Sequence, residues 1–518
     1  MPVGASLLTL IGALALRFWV GAMPEAHGGT DRCFHVAFIR MIRQSQRMGS
    51  IRDDRLLLPG SFSYPKLYHQ FISFLPEAAV FYLDRWSGLL FDAMVGAALL
   101  PLLARHGVPE NDLAAILAFY LIAPGLTLVH IGPRAFALTP RSFSQLLAGL
   151  LIILYLANAD GILPLSSWLW AGLATVLVAA LLLSSKFAAQ VLLLYLPTLT
   201  LLTHDGTFLA IVATGVATAW IASRGYFADQ VAAQIAHLAW YRRNVSILKG
   251  MRGDLGSLWR ALKRRDALAV AKEVLARNPI LSGLARHFLL VPGVILGLST
   301  TRVDLPLQAA LNVSLASIAA WLLTSVGAFR ILGEAERYLE FGFPAQWYLF
   351  FAVLPSRLIG VILIMLLGIH AAVFALNVYS LRQQFADQTA SARRAVARRI
   401  DAFAQARLLV INDSESYCFY LETRAAICTL PNPLSPGELG WRFIDRLYAP
   451  YPYVAPEIIP ELCRTYALNL AVLRKIAARP SFGPQRYQFD AWKAVYENEH
   501  YVLYEIPAVA DAHRTTAA

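Results

Sequence analysis

The sequence predicts an all-α polytopic membrane domain of about eleven spans followed by a small soluble α/β domain. Three observations carry this. Apolar residues make up 57% of the 518 and charged residues 15%, against roughly 45–50% and 25% in soluble domains; mean hydropathy is +0.53. Runs of about 18 or more apolar residues, each long enough for a ~30 Å hydrocarbon core, recur through the first three quarters of the chain. From residue 381 onward the composition becomes that of an ordinary soluble domain.

Taken in order, spans are expected near 5–23, 86–104, 111–131, 141–158, 163–184, 187–203, 206–223, 287–300, 304–327, 341–355 and 356–380. The short segments 287–300 and 341–355 read equally as re-entrant or tilted partners. Residues 6–16 have the length of a signal-peptide core, but no basic segment precedes them, Arg17 interrupts the run and many spans follow. They are therefore read as part of a retained first span. The membrane domain is expected to occupy 1–380, with a first external loop at 24–85 and a second long loop at 224–286.

That second loop carries twelve Lys/Arg against four Asp/Glu. The positive-inside rule would place it in the cytoplasm, whereas seven spans from a cytoplasmic N-terminus place it outside, with Asp31 and the C-terminal region. The rule is weak for loops of this length, and Trp240, Tyr241, Ile247, Leu248, Leu258, Trp259 and Leu262 alternate with basic residues as in interfacial amphipathic helices. The span count decides for the outside.

Residues 381–518 open with an Ala/Arg-rich helical stalk to 406. Arg407–Asp413 reads as a buried strand ending in a turn, 414–424 as a helix, Ala425–Leu430 as a second strand and Tyr501–Ile506 as a closing strand. This β-α-β pattern comes with no GxGxxG or Walker loop. Asp205 and Asp413 are expected to be turn or cap residues. The cysteines, Cys33, Cys418, Cys428 and Cys463, show no zinc-site spacing. If the C-terminal domain is external, one disulfide among Cys418, Cys428 and Cys463 is expected. The net charge of +12 speaks for anionic lipid heads and phosphates, and no nucleic-acid module is visible.

Chemistry is expected where polar residues meet span ends. Asp31 lies eight positions beyond the first span and one helical turn from His35, so the two side chains can converge as a base or ligand pair. Helix capping by Thr30 or Asp31 is the competing reading. Tyr64-Pro65-Lys66-Leu67-Tyr68-His69 reads as a turn into a second interfacial helix, in which His69 could bond a sugar or phosphate and the tyrosines could be belt aromatics. Arg134, Arg141 and Lys186 fall in loops on Asp31's side, where they would either bind phosphate or snorkel from span ends. Gly333–Glu340, with Glu334, Glu336 and Arg337, is costly to bury unless paired. Its alternative is a solvated loop in which Arg337 offsets Glu336 and Glu340.

These residues, in this order, resemble the membrane-embedded GT-C glycosyltransferases of bacterial type. The resemblance rests on Arg17, Asp31, the 64–69 run, Thr139-Pro140-Arg141, Ser185-Lys186-Phe187, the long loop after the seventh span and Glu336-Arg337-Tyr338, and it covers 1–380. Each motif is short; their order is the signal. Two departures stand out: residues 132–141 contain no acid, and the usual acidic pair at the first loop is Asp31-Arg32.

The resemblance implies sugar transfer from a polyprenyl-phosphate donor to a lipid or polysaccharide acceptor, at the external face of the inner (plasma) membrane. Asp31 would take the acceptor proton, directly or through a divalent cation such as Mg or Mn that it helps to hold. Arg134, Arg141 and Lys186 would hold the departing phosphate. His35, Tyr64, His69, Glu334, Glu336 and Arg337 would bind donor or acceptor, and apolar side chains between spans would cradle the polyprenyl chain. The alternatives are a transporter or flippase for a lipid-linked or polyanionic solute, and a scaffold presenting 381–518. Polar residues grouped at span ends, without like halves, favour the enzyme over the transporter.

Overall fold

The computed structural model describes residues 2–22, 30–45, 51–60, 62–123, 138–244, 255–274, 278–300, 304–326, 329–332, 335–385, 388–431, 437–475, 487 and 492–507. The chain forms two compact units. The first comprises Met1–His27, Pro65–Ala228 and Tyr241–Gln384; the second comprises Gly28–Tyr64, Asp229–Trp240 and Phe385–Ala518.

In chain order the helices are α1 (Val3–Ala22), α2 (Thr30–Ser45), α3 (Leu67–Ser73), α4 (Glu77–Arg105), α5 (Glu110–Ile122), α6 (Pro140–Ala159), α7 (Ser167–Ser184) and α8 (Lys186–Thr203). There follow α9 (Thr207–Ala222), α10 (Tyr226–Arg243), α11 (Leu255–Lys263), α12 (Ala267–Lys272), α13 (Pro279–Arg286), α14 (Leu290–Ser299) and α15 (Leu305–Ser325). The last are α16 (Glu336–Phe341), α17 (Phe343–Val353), α18 (Ser356–Phe385), α19 (Gln388–Ile400), α20 (Ser416–Glu422), α21 (Gly440–Leu447) and α22 (Ile459–Thr465).

Seven of these, α1, α4 (from Tyr82), α6, α7, α8, α15 and α18 (to Ala375), are long and apolar enough to cross a membrane. Two further candidates are bent pairs: α9 with α10 at 114°, and α13 with α14 at 70°. The expected span at 111–131 is described only as α5, since residues 124–131 lie outside the described residues. The short helix α17 has nine buried residues of eleven. It is an internal strut, too short for the ~20 residues that a bilayer needs.

Local sequence sets the helix ends. Proline at the first turn and a polar residue before it start α6 after Thr139, α13 after Asn278 and α15 after Asp304. Asn278 accepts hydrogen bonds from Ile280 and Leu281 at 3.1 Å each, and Asp304 accepts one from Leu307 at 3.0 Å. Asp205 likewise accepts from the Thr207 amide at 2.9 Å, the turn role expected of it. At the heart of the first unit α15 buries Ala310, Ser314, Ala316 and Ser317. These small residues admit α16 and α17 closely: a Cβ on Gly342 would meet that of Ser317 at 2.7 Å. Arg17 of α1 is fully enclosed; it donates to Asp92 of α4 at 3.0 Å and to the Leu121 carbonyl of α5. It is thus part of the helix packing.

The second unit is α/β, with a five-stranded sheet in the order β2-β1-β3-β5-β4. Its strands are β1 (Arg407–Val410), β2 (Ala426–Ile427), β3 (Leu470–Arg474), β4 (Lys493–Glu497) and β5 (Tyr501–Glu505). β1 runs parallel to β2 and β3, joined by α20 as the β-α-β pattern predicts, and β5 is antiparallel to β3 and β4. The first-loop segment joins this sheet edge: the Ile427 amide donates to the Arg55 carbonyl at 2.6 Å and Leu57 returns to the Ile427 carbonyl at 2.9 Å. Arg55 also donates to the carbonyls of Tyr420 and Thr423, at 2.8 and 2.5 Å, where α20 leaves them unpaired. Asp413 follows β1 and accepts from Ser416, Thr429 and Tyr448 at 2.8, 2.7 and 2.6 Å. It ties three segments together at a turn, as expected, and burial pushes its carboxyl up from the usual range.

The disulfide expectation is corrected. Cys418 pairs with Cys33, 385 residues away, so that α2 is bonded to α20, while Cys428 and Cys463 are free and buried. The pairing joins the first loop to the C-terminal region, which spacing within 381–518 could not reveal.

Candidate active site

Three helix starts in the first unit bring together several of the residues singled out in the sequence. Arg141 is the second residue of α6, Lys186 the first of α8, and Glu336 the first of α16. Arg141 Nη2 donates to both carboxylate oxygens of Glu340 at 2.7 Å, and Gln145, one turn along α6, donates to Glu340 Oε2 at 2.9 Å. The Glu340 side chain is 1% exposed and that of Arg141 16%. A buried carboxylate so enclosed needs such charge-assisted partners. Glu336, also buried, accepts from Ser282 of α13 at 2.6 Å. The solvated-loop alternative for 333–340 is therefore corrected at Glu336 and Glu340: both turn inward to polar partners on neighbouring helices.

Aromatic residues complete the wall. Ser185 caps α8 by accepting from the Phe187 amide at 3.3 Å, fixing the chain where Lys186 emerges. The Phe187 ring lies 4.8 Å from that of Tyr338 and 5.8 Å from that of Phe341, with the Arg337 guanidinium 5.7 Å from its centre. Tyr195 of α8 donates its hydroxyl to the Tyr338 carbonyl.

Beside these groups, within the same unit, an apolar pocket is walled by Tyr155, Trp170, Leu192, Tyr195, Phe208 and Phe341 among others. Tyr195 and Phe341 belong to both. Polar, charged side chains and an oily cleft thus adjoin through two residues.

Lys66 and His69 lie in the first unit too. Lys66 is 5% exposed, its ammonium sits 3.9 Å over the Tyr226 ring, and burial pushes it down to about 8. His69 is wholly buried in α3 beside Tyr68, whose ring stacks on Phe143 at 5.2 Å. Tyr68 is therefore a packed side chain, and burial pushes its hydroxyl pKa up.

The second unit holds His35 and Tyr64, with ring centres 5.8 Å apart. Both face Phe34, at 5.3 Å each, and Phe38 and Phe62 extend the cluster. Burial pushes the His35 imidazole down to about 3, so it is neutral in this aromatic setting. Asp31 lies in the first turn of α2, two residues before the disulfide-bonded Cys33. Its side chain, like Arg134 and Glu334, lies outside the described residues. Among the described residues no three His, Cys, Asp or Glu side chains gather in a metal-ligand arrangement.

Sequence reasoning missed Glu340 as the partner of Arg141, and also Gln145, Ser282 and Lys66. Glu340 and Lys66 lay inside segments already singled out. Their importance had one readable signal, a charge inside an otherwise apolar or aromatic run. Gln145 and Ser282 carried none.

No family model matches the chain, and no curated protein is detectably similar to it in sequence. Solved structures are similar in fold. ArnT from Cupriavidus metallidurans, in its apo state, superposes with a TM-score of 0.53 at 15% identity, covering 97% of this chain and 98% of that one. The oligosaccharyltransferase AglB from Archaeoglobus fulgidus, solved with an inhibitory peptide and a dolichol-phosphate, gives 0.50 at 11% identity over 90% of this chain and 69% of that one. With its apolar helices and the small sheet that follows them, the chain has a GT-C-like fold, shared with ArnT over nearly the whole of both chains and with AglB over 69% of that chain.

Proposed function

We propose that this protein transfers a sugar, a hexose or pentose, from a polyprenyl-phosphate donor to a lipid or polysaccharide acceptor at the external face of the inner membrane. The observation that carries the reading is the junction of Arg141 and its neighbours with the apolar cleft through Tyr195 and Phe341. A lipid phosphate needs that pair of environments, cations for the head and an oily groove for the tail. A soluble substrate needs only the first.

In this reading the acceptor hydroxyl attacks the anomeric carbon while the bond from that carbon to the phosphate oxygen breaks. The phosphate leaves with the electron pair and the acceptor proton passes to Asp31. Arg141 and Lys186 stabilise the charge that grows on the departing phosphate, where fixed donors act most strongly. Glu340 holds the Arg141 guanidinium in place between turnovers. Lys66, with its pKa near 8, supplies a further ammonium in the run before α4. His35, Tyr64, His69, Glu336 and Arg337 shape the walls that receive donor and acceptor. Chelation of the purified protein tests whether a divalent cation held by Asp31 takes part.

The side assignment draws support from the second unit. Segments 28–64, 229–240 and 385–518 belong to one compact unit, which supports reading the first loop, the start of the 224–286 loop and the C-terminal domain on one face of the membrane. A disulfide within it suits an oxidising compartment.

The test is transfer by the purified full chain from a panel of polyprenyl-phosphate sugars, with donor varied at fixed acceptor. Lys186→Ala is expected to weaken donor use by roughly 1.5–3 kcal/mol, as for a lost charged hydrogen bond, and to leave acceptor dependence alone. Unchanged donor dependence would return Lys186 to the role of a snorkelling span end. A wild type that turns over no donor of the panel would remove the transferase reading.

A further inference from the structure

Helices α11 and α12 of the first unit form a hairpin with an open side that is both oily and basic. The chain reverses at Arg265, a left-handed residue with φ 52°. Its amide donates to the Leu262 carbonyl at 3.0 Å, and the Asp266 amide donates to that of Ala261 at 3.2 Å. Asp266 then caps α12, accepting from the Ala269 amide at 2.9 Å. Ser257 of α11 fastens the pair by donating to Glu273 at 2.8 Å. Leu262, Arg265, Ala267, Val270, Ala271 and Val274 line an open cleft on the hairpin.

The charge on this hairpin is lopsided. Residues 255–274 carry five Lys/Arg and two Asp/Glu. Both acids are engaged within the hairpin: Asp266 is the cap, and the buried Glu273 takes the Ser257 hydroxyl. Lys263, Arg264 and Arg265 are exposed. So are Trp259 (60%) and Leu262 (47%), about one turn apart on α11, with the Lys263 ammonium 5.6 Å from the centre of the Trp259 ring.

The hairpin is tied to the level at which α15 ends. The Asn278 amide donates to the Glu273 carbonyl at 2.9 Å, and Asn278 caps α13. The Pro279 carbonyl of α13 accepts from the indole of Trp321 at 3.1 Å, four residues before the end of α15, and Ser282 of α13 reaches Glu336. Exposed aromatic and aliphatic side chains among cations, at the end of a span, suit a membrane surface.

We propose that the α11–α12 hairpin binds an anionic phospholipid of the bilayer, with an acyl chain in the cleft and the phosphate on Arg265, flanked by Lys263 and Arg264. This does not rest on the sugar-transfer reading. The chemistry selects the occupant. Five of the six cleft residues are aliphatic and match a hydrocarbon chain, whereas a soluble anion would use only the sixth. A zwitterionic head brings an ammonium that the three exposed cations repel, while each cation near a net-negative head strengthens its hold.

The experiment places the full chain in phosphatidylcholine nanodiscs with increasing fractions of phosphatidylglycerol brominated on its acyl chains. Quenching of Trp259 is read as the difference between each protein and its own Trp259→Phe counterpart. Trp259 is expected to be quenched at phosphatidylglycerol fractions at which brominated phosphatidylcholine quenches it far less. Arg265→Gln is expected to need about fivefold more phosphatidylglycerol, the loss of one surface cation, and Arg265→Lys, which keeps the charge, to retain the preference. Ala271→Phe, which fills the cleft, is expected to weaken quenching at every fraction. Unfolding midpoints in phosphatidylcholine alone are expected to be equal, because none of the substituted side chains is buried. A midpoint lowered in both Arg265→Gln and Arg265→Lys would show a structural arginine and overturn the proposal. No quenching of Trp259 by either lipid would set the hairpin off the bilayer, and equal quenching by both would leave a contact blind to the headgroup; each overturns it. Unchanged quenching in Ala271→Phe would empty the cleft of its chain, with the same consequence. Relief of quenching by millimolar inorganic phosphate would assign the cations to a soluble anion instead. Relief by sugar-free polyprenyl phosphate at lower fractions than unbrominated phosphatidylglycerol requires would give the cleft to the donor lipid, and the phospholipid site would fall.

Discussion

Replacing Arg141 alone removes the guanidinium from a carboxylate whose side chain is 1% exposed. Two charge-assisted bonds at 2.7 Å are lost, while the neutral donor of Gln145 at 2.9 Å stays. Breaking such a buried pair from one side costs about 3–5 kcal/mol, most of it the penalty of a stranded charge. Arg141→Met should therefore lose about that much stability, and Glu340→Leu a comparable amount. The double variant Arg141→Met/Glu340→Leu removes both charges of the pair and should return to within about 1 kcal/mol of the wild type, as apolar replacements of buried pairs commonly do. Transfer should not return with it, because the phosphate has lost its guanidinium. SDS titration of the protein in mixed micelles, beside donor kinetics on the same samples, gives both readings. A double variant no more stable than the single ones would refute the pairing argument. One that regains transfer would refute the assignment of Arg141 to phosphate.

Three further outcomes are expected. Asp31→Asn should fold normally, since the amide has the size and shape of the carboxylate, yet lose about 10²-fold or more in transfer rate; retention of more than a tenth of the activity would remove Asp31 as the base. His35 is held near 3 by burial, well below its ordinary 6.5, so between those pH values the unfolded chain takes up a proton that the folded chain refuses. Stability should then fall as pH is lowered from about 6.5 to 3, by at most about 1.4 kcal/mol per pH unit, and His35→Phe should flatten that slope; an unchanged slope would exclude His35 as its source. Cys33→Ser should cost about 2–5 kcal/mol, and an impermeant maleimide applied to intact cells should then label the newly freed Cys418 when the second unit is locally opened with mild urea; labelling only after permeabilisation would place that unit in the cytoplasm.

Much of the architecture was legible because a bilayer enforces a crude rule: apolar runs such as 167–184 and 305–325 must be helices. The β-α-β start of the soluble region was legible for a similar reason, as Arg407–Val410 and the helix after it carry opposite periodicities. β3, Leu470–Arg474, was not, because its four apolar residues beside a helical run have no period of their own. β2 is only two residues long and is defined by its pairing with Leu408. At the candidate site, Arg141, Lys186 and Glu336 were visible as charges at the edges of apolar runs. What the sequence could not show is choice of partner: Arg141 selects Glu340, 199 positions away, over the nearer Glu336, and Cys33 selects Cys418. Such choices depend on which helix starts converge, a property of the packed bundle.

The Arg17–Asp92 pair bears on how the first helix is seated. Arg17 lies five residues from the end of α1, whose outward side chains Leu8, Ile11, Phe18 and Trp19 are half exposed or more. Alone in lipid, that helix would ride upward until the guanidinium reached the headgroups. Asp92 and the Leu121 carbonyl instead draw the charge inward. The vertical register of α1 is thus dictated by residues synthesised some seventy-five to a hundred positions later, and the nascent helix remains free to slide until α4 and α5 arrive. Because the loop bearing Asp31 begins where α1 ends, the depth at which that loop leaves the bilayer is a property of α4 as much as of α1.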